Sequence, residues 1–190
     1  RTARVHVKVD TGMGRLGLLP HEVLPFVRQM SRLPALQVDG VFTHMASAED
    51  ADLTYTRWQL ARFEEVLSAL RGQGLLPPHI HAANSAAILR LPEAHYNLVR
   101  VGLAMYGLDP SPDARCPSDF RPALAFKCRV TQVRELPRGS YIGYGCTFRT
   151  QRPSRVAVLP VGYAHGFRRA PGHWGCVLVK GERAPVVGRV

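Results

Sequence analysis

Two periodicities divide this chain. For about 110 residues, apolar strands alternate with amphipathic helices; beyond that, strands follow one another. "ARVHVKVD" opens with period two: Val5, Val7 and Val9 share one face, and His6, Lys8 and Asp10 the other. The loop "TGMGRLGL" leads to a helix expected from Pro20 to about Leu33, because proline suits the first helical position. A second strand is read at 36–44. A strong helix is read at 53–71, with Leu60, Phe63, Val66, Leu67 and Leu70 at helical spacing. "HIHAAN" reads as a third strand, "SAAILRL" as a short helix and "YNLVRVG" as a fourth strand. Such alternation predicts parallel pairing.

After Gly107 a Pro/Asp/Ser-rich stretch interrupts the pattern. Strands are then expected in "ALAFKCRVTQVREL", "YIGYGCTF", "RVAVLPVGY", "GCVLVKG" and "PVVGRV". The fold class is therefore α/β plus β. We expect a β/α domain over 1–110, a linker at 111–120 and the start of an all-β domain over 121–190. Four β/α strands cannot close an eight-stranded barrel. Both ends fall beside strand-like runs, so the chain is expected to be an internal piece of a longer protein.

Composition narrows the partners. The formal charge is +11, yet the basic residues are scattered and only three are lysines, Lys8, Lys127 and Lys180. No basic block or aromatic-basic alternation marks a nucleic-acid site. No apolar run approaches the roughly 20 residues that span a bilayer, and "RTARVHVKVD" does not read as a signal peptide. Cys116, Cys128, Cys146 and Cys176 lack zinc spacing and read as free thiols, so no metal is expected. The expected location is the cytoplasm, with no nucleic-acid or membrane partner.

Polar residues gather where the β/α strands end, the face that carries active sites in parallel folds. Lys8 and Asp10 precede the glycine loop with Arg15; His44 ends the second strand; Asn84 and Ser85 end the third; Arg100 and Gly102 belong to the fourth. Asn84-Ser85 reads equally as a helix cap or as an anion site. The glycine loop lacks nucleotide-binding spacing and reads either as a plain turn or as a carrier of Arg15. His44 alone reads as a packed histidine. Tyr144 and Tyr163 read as packing residues unless a pocket lowers their pKa. Arg100 poses the sharpest question, because a guanidinium keeps its charge wherever it is placed.

The stretches "VHVKVDTGMGRLGL", "GVFTHMASAED", "HAANSAA", "NLVRVGLAMYGLDP", "IGYGCTF", "LPVGYAHGFRR" and "APVVGRV" resemble bacterial alanine racemases, in order and across nearly the whole chain. The resemblance implies dependence on pyridoxal 5'-phosphate (PLP). It implies the C-terminal half of a (β/α)8 TIM-type barrel followed by part of a β domain. It also implies interconversion of L- and D-alanine through an aldimine by two-base proton transfer, supplying D-alanine for peptidoglycan. Arg100 would donate to the cofactor's pyridine nitrogen. Ser85 and the backbone of Gly102 and Leu103 would hold its phosphate, with Asn84 beside them. Arg15 would lie near the cofactor's phenolic oxygen and the substrate carboxylate. Lys8 corresponds to a lysine that is often carbamylated. His44 would link Arg100 to Tyr144, which acts as acid and base from the partner subunit of a homodimer. Tyr163, Arg169 and Arg189 would line the substrate entrance.

Two departures stand out. His165 occupies the family's usual aspartate position, and none of the three lysines matches the one that forms the Schiff base. The chain alone is therefore expected to be inactive. Two other readings share many of these features: a non-catalytic PLP carrier, and a PLP-dependent amino-acid decarboxylase of related fold.

Overall fold

The computed structural model describes residues 1–167, 169 and 175–188, which fall into two compact units, Arg1–Ala125 and Phe126–Val190. In the first unit a three-stranded parallel sheet runs in the order β1 (Ala3–Lys8), β2 (Leu36–Phe42), β3 (His79–His81). Helices α1 (Pro20–Met30) and α2 (Thr54–Arg71) carry the crossovers, and α3 (Ser85–Arg90) follows β3. Each helix has a local reason to start where it does. Glu22 reaches back to accept from the Leu19 amide at 2.7 Å, and Asp52 accepts from the Thr54 amide at 2.8 Å.

The valine face of β1 packs outward. Val7 and Val9 join Val23 and Val27 of α1, Val41 of β2, and Leu60, Phe63, Val66, Leu67 and Leu70 of α2 in one core. The opposite face of the sheet carries His6, Lys8, His79 and His81, with the Phe42 ring among them. Between Val5 and His6 the register slips, so that Val5 pairs with Val38 but His6 with Gly40. The extra residue is Asp39, whose carboxylate receives two bonds from Arg4 at 2.8 and 2.9 Å.

The expected fourth strand, "YNLVRVG", does not form as a strand. The Asn97 side chain takes the place of a backbone ladder: its oxygen accepts from the Ile80 amide at 2.8 Å and its NH2 donates to the Pro78 carbonyl at 2.7 Å. Among the described residues, backbone pairing is limited to one bond, from the Arg100 amide to the Ala83 carbonyl. The segment is also less buried than its apolar sequence suggests: Val99, Val101, Leu103 and Met105 are exposed.

The second unit holds three antiparallel pairs among its described residues. They are β4 (Gln132–Leu136) with β7 (Ser154–Val158), β5 (Tyr141–Ile142) with β6 (Phe148–Arg149), and β8 (Cys176–Val179) with β9 (Glu182–Pro185). The strands are shorter than expected, for two reasons. Pro160 has no amide to donate, and β7 stops two residues before it, so the pairing begins where the Thr131 amide donates to the Val158 carbonyl at 3.0 Å, and residues 124–130 form no strand. Lys180 and Gly181 both have positive φ, 51° and 87°, which makes a two-residue hairpin turn. That turn forces the strand after β8 to start at Glu182, so β9 ends at Pro185 rather than beginning there. The four cysteines are free thiols, and no described helix is long and apolar enough to cross a membrane.

Gly17 closes the glycine loop. Its φ is +119°, and a Cβ there would lie 2.9 Å from both the Lys8 carbonyl and the Asp10 amide. Replacing Gly17 with alanine is expected to cost at least about 1 kcal/mol, read as a lower urea midpoint. An unchanged midpoint would contradict the strain assigned to this turn.

Candidate active site

Arg100 is the centre of the polar face. Its Nη1 donates to His81 Nδ1 at 2.7 Å. Its Nη2 faces the Thr43 carbonyl at 2.9 Å, the Ala82 carbonyl at 3.1 Å and His44 Nδ1 at 3.1 Å. The guanidinium also lies over the Phe42 ring, 5.3 Å from its centroid. Every partner is a neutral acceptor or a π face, and no carboxylate pairs with it among the described residues. Burial pulls its pKa down from the usual arginine value, but an arginine remains charged.

A guanidinium has no acceptor, so both histidines must offer an unprotonated Nδ1 and carry their proton on Nε2. For His81 that proton points to His6 Nδ1, 2.8 Å away. His6 and His79 in turn approach Asp39, at 3.9 and 3.6 Å. The order is thus Arg100, His81, His6, Asp39. Burial, then the Arg100 charge, drives the His81 pKa down to about 4. His44 is lowered by burial, then Arg100, Arg15 and Lys8.

Ser85 organises a second cluster. Its Oγ accepts from the amides of Gly102 at 2.8 Å and Ala104 at 3.2 Å. Among the described residues no acceptor takes its own hydroxyl proton. Asn84 caps α3, accepting from the Ala87 amide at 3.0 Å. A Cβ on Gly102 would touch only Ser85 Oγ, at 3.6 Å, so the approach to this backbone is open.

The glycine loop forms the third part. Asp10 Oδ1 accepts from the amides of Gly12, Met13 and Gly14, which hold its pKa low despite the opposing effect of burial. Arg15 is exposed on this loop, close enough to lower the pKa of Lys8 and His44. Burial is the larger cause of the shift at Lys8.

Lys8, Arg15, His44, Asn84, Ser85, Arg100, Gly102 and Leu103 all lie in the first unit. Tyr144 and Tyr163 belong to the second, each in a single 3-10 turn and largely exposed. Arg169 is exposed there; Arg189 lies outside the described residues. Sequence reading passed over His81, His6 and Asp39. The signal was present: His79 and His81 alternate in "HIHAAN" as His6 and Lys8 do in "VHVKVD".

Residues 1–110 match the family description "Alanine racemase, N-terminal domain", and residues 123–190 match "Alanine racemase, C-terminal domain". The chain belongs to the alanine racemase family. An alanine racemase of Symbiobacterium thermophilum is 50% identical over 190 residues, which cover 100% of this chain and 50% of that protein. The solved alanine racemase of E. faecalis matches with a TM-score of 0.89 at 40% identity, covering 100% of this chain and 50% of that one. The alanine racemase of Bacillus anthracis with bound L-Ala-P matches at 0.86 and 38% identity, covering 99% of this chain and 49% of that one. The chain thus spans about half the length of its relatives. Their architecture is a TIM barrel followed by a C-terminal β domain, and this chain takes part of each.

The histidine shifts predict acid sensitivity. The unfolded chain protonates His81 near its ordinary 6.5, the folded chain only near 4. The stability this supplies is complete above about pH 6.5 and is lost as pH falls towards 4. Moving from pH 7 to pH 5 is expected to cost about 2 kcal/mol in urea unfolding. His81→Asn should flatten that dependence. Equal stability of the natural chain at both pH values would contradict the assignment.

Proposed function

We propose that the protein to which this chain belongs is a PLP-dependent alanine racemase, interconverting L- and D-alanine. The observation that carries this reading is the setting of Arg100. Its neighbours are neutral, and two of its five N–H groups, on Nε and Nη1, have no partner among the described residues. Such a group suits a ring nitrogen that accepts a hydrogen bond without taking a proton. The residues present fit the phosphate as well. The Ser85 hydroxyl proton and the Leu103 amide are donors, beside a backbone that Gly102 leaves open to close approach.

PLP bound here would supply an electron sink for the carbanion left when the α-proton of alanine is removed. The chain's residues would do the rest. Arg100, restrained by His81 and two carbonyls, would keep the ring nitrogen a hydrogen-bond acceptor and so limit how strongly that sink pulls. A weaker sink suits a reaction that only moves one proton. Arg15 would pair with the substrate carboxylate. Lys8, its pKa lowered towards the reactive neutral amine, would accept carbon dioxide as a carbamate and then attract Arg15 where it now repels it. His44, accepting from Arg100 on Nδ1, would leave its Nε2 proton facing Tyr144 of a second protomer.

Tyr144 would be the acid and base on one face of the substrate, in a homodimer. Tyr163 and the arginines at 169 and 189 would line the entrance. We place the protein in the cytoplasm and its product in peptidoglycan supply. The three lysines here match no cofactor anchor, so the chain alone should not racemise alanine.

In the full-length enzyme, Tyr144→Phe is expected to lower kcat for racemisation by about 10²–10⁴-fold, followed by circular dichroism of the alanine pool. An unchanged rate would remove Tyr144 from the proton transfer, no racemisation by the natural enzyme would favour a cofactor carrier, and release of carbon dioxide would favour a decarboxylase. Ser85→Ala should raise the dissociation constant for PLP by about tenfold; unaltered affinity would remove Ser85 from the phosphate site.

A further inference from the structure

We infer that Gln59, on the outer helix α2, is a positioning residue that holds the loop carrying Arg15 and the loop carrying His44 in one register. Gln59 is fully buried and its amide is used on both ends. Its Oε1 accepts from the Ala46 amide at 2.9 Å. Its Nε2 donates to the His44 carbonyl at 3.2 Å and to Thr11 Oγ1 at 3.3 Å. Ala46 and His44 belong to the loop after β2, and Thr11 opens the glycine loop after β1.

The direction of the remaining bonds follows from counting protons. Thr43 has one hydroxyl proton, and it goes to the Val9 carbonyl at 3.0 Å. In the 2.7 Å contact between Thr11 and Thr43 the donor must therefore be Thr11. Thr11 is then free to accept only, which is what the Gln59 NH2 requires. The sequence of donors runs from Gln59 to Thr11 to Thr43 to the Val9 carbonyl, with each proton used once. Thr11, Thr43 and Gln59 are all inaccessible to solvent, and no buried side-chain polar atom is left unsatisfied among the described residues. A complete network of this kind defines one arrangement, because losing any member strands a buried partner.

Its consequence is geometric. Thr43 and His44 supply two of the acceptors that hold Arg100, and Thr11 is four residues from Arg15. Gln59 therefore acts on the site only through these loops. The role is visible in the sequence as a polar residue on an apolar helical stripe: Thr56, Gln59, Leu60 and Phe63 share the buried face of α2.

The kinetic arm of the test rests on the racemase reading; the exchange arm does not. In the full-length protein, Gln59→Met keeps the length of the side chain and removes its hydrogen bonds. The expected result is a kcat for alanine about tenfold lower, with KM changed less than twofold, measured well below the unfolding midpoint. In a His44→Ala background the same substitution should lower kcat by a clearly smaller factor, since part of its effect passes through His44. Equal losses in both backgrounds, or an unchanged kcat, would overturn the inference. In the natural protein the Gln59 side-chain amide protons should resist exchange with solvent on NMR timescales, whether or not the variant folds. Rapid exchange would overturn it as well. If the natural protein does not racemise alanine, the functional reading fails, and the exchange measurement still decides the role of Gln59.

Discussion

Arg100 keeps its positive charge, and the protein answers it with nothing negative. That constraint organises the polar face of the first unit. A carboxylate would have been the simplest partner for a half-buried guanidinium. Two imidazole nitrogens and two carbonyl oxygens take that place. Each is a good acceptor that leaves the charge uncancelled, so Arg100 can still act on whatever binds beside it. The only carboxylate in the network, Asp39, sits beyond two histidines and is itself paired with Arg4.

This arrangement depends on the division of labour across one sheet. Alternate residues of β1 face opposite ways, so valines supply a dry face for α1 and α2 while His6 and Lys8 supply a wet one. The helices do more than cover the valines. Through Gln59, α2 reaches between the strand ends and ties together two loops that the sheet alone would leave independent. Loop residues carry the proposed chemistry, and packed elements determine where they stand.

Much of this was legible beforehand. Period-two and helical spacing located β1, β2, α1 and α2, because those segments bury one face against a single core. The cluster of Lys8, Arg15, His44, Ser85 and Arg100 followed from strand ends sharing one side of a parallel sheet. Three things were not legible. Asn97 replaces a backbone ladder with its side chain, and no pattern of hydrophobicity reports that. The hairpin turn at Lys180-Gly181 shifts β9 by three residues, since turn geometry and not apolar content sets register. The relay from Arg100 to Asp39 depends on a one-residue bulge that brings Asp39 under the histidines, a detail that appears only once two strands are paired.

The most direct test of the account is the protonation of His44 and His81. Long-range proton–nitrogen NMR of the histidine rings reads which nitrogen carries hydrogen. Both rings should be neutral with the proton on Nε2, and His81 should hold that state until the pH approaches about 4. A proton on Nδ1 of either ring would contradict the account, because Arg100 would then face a donor where it needs an acceptor.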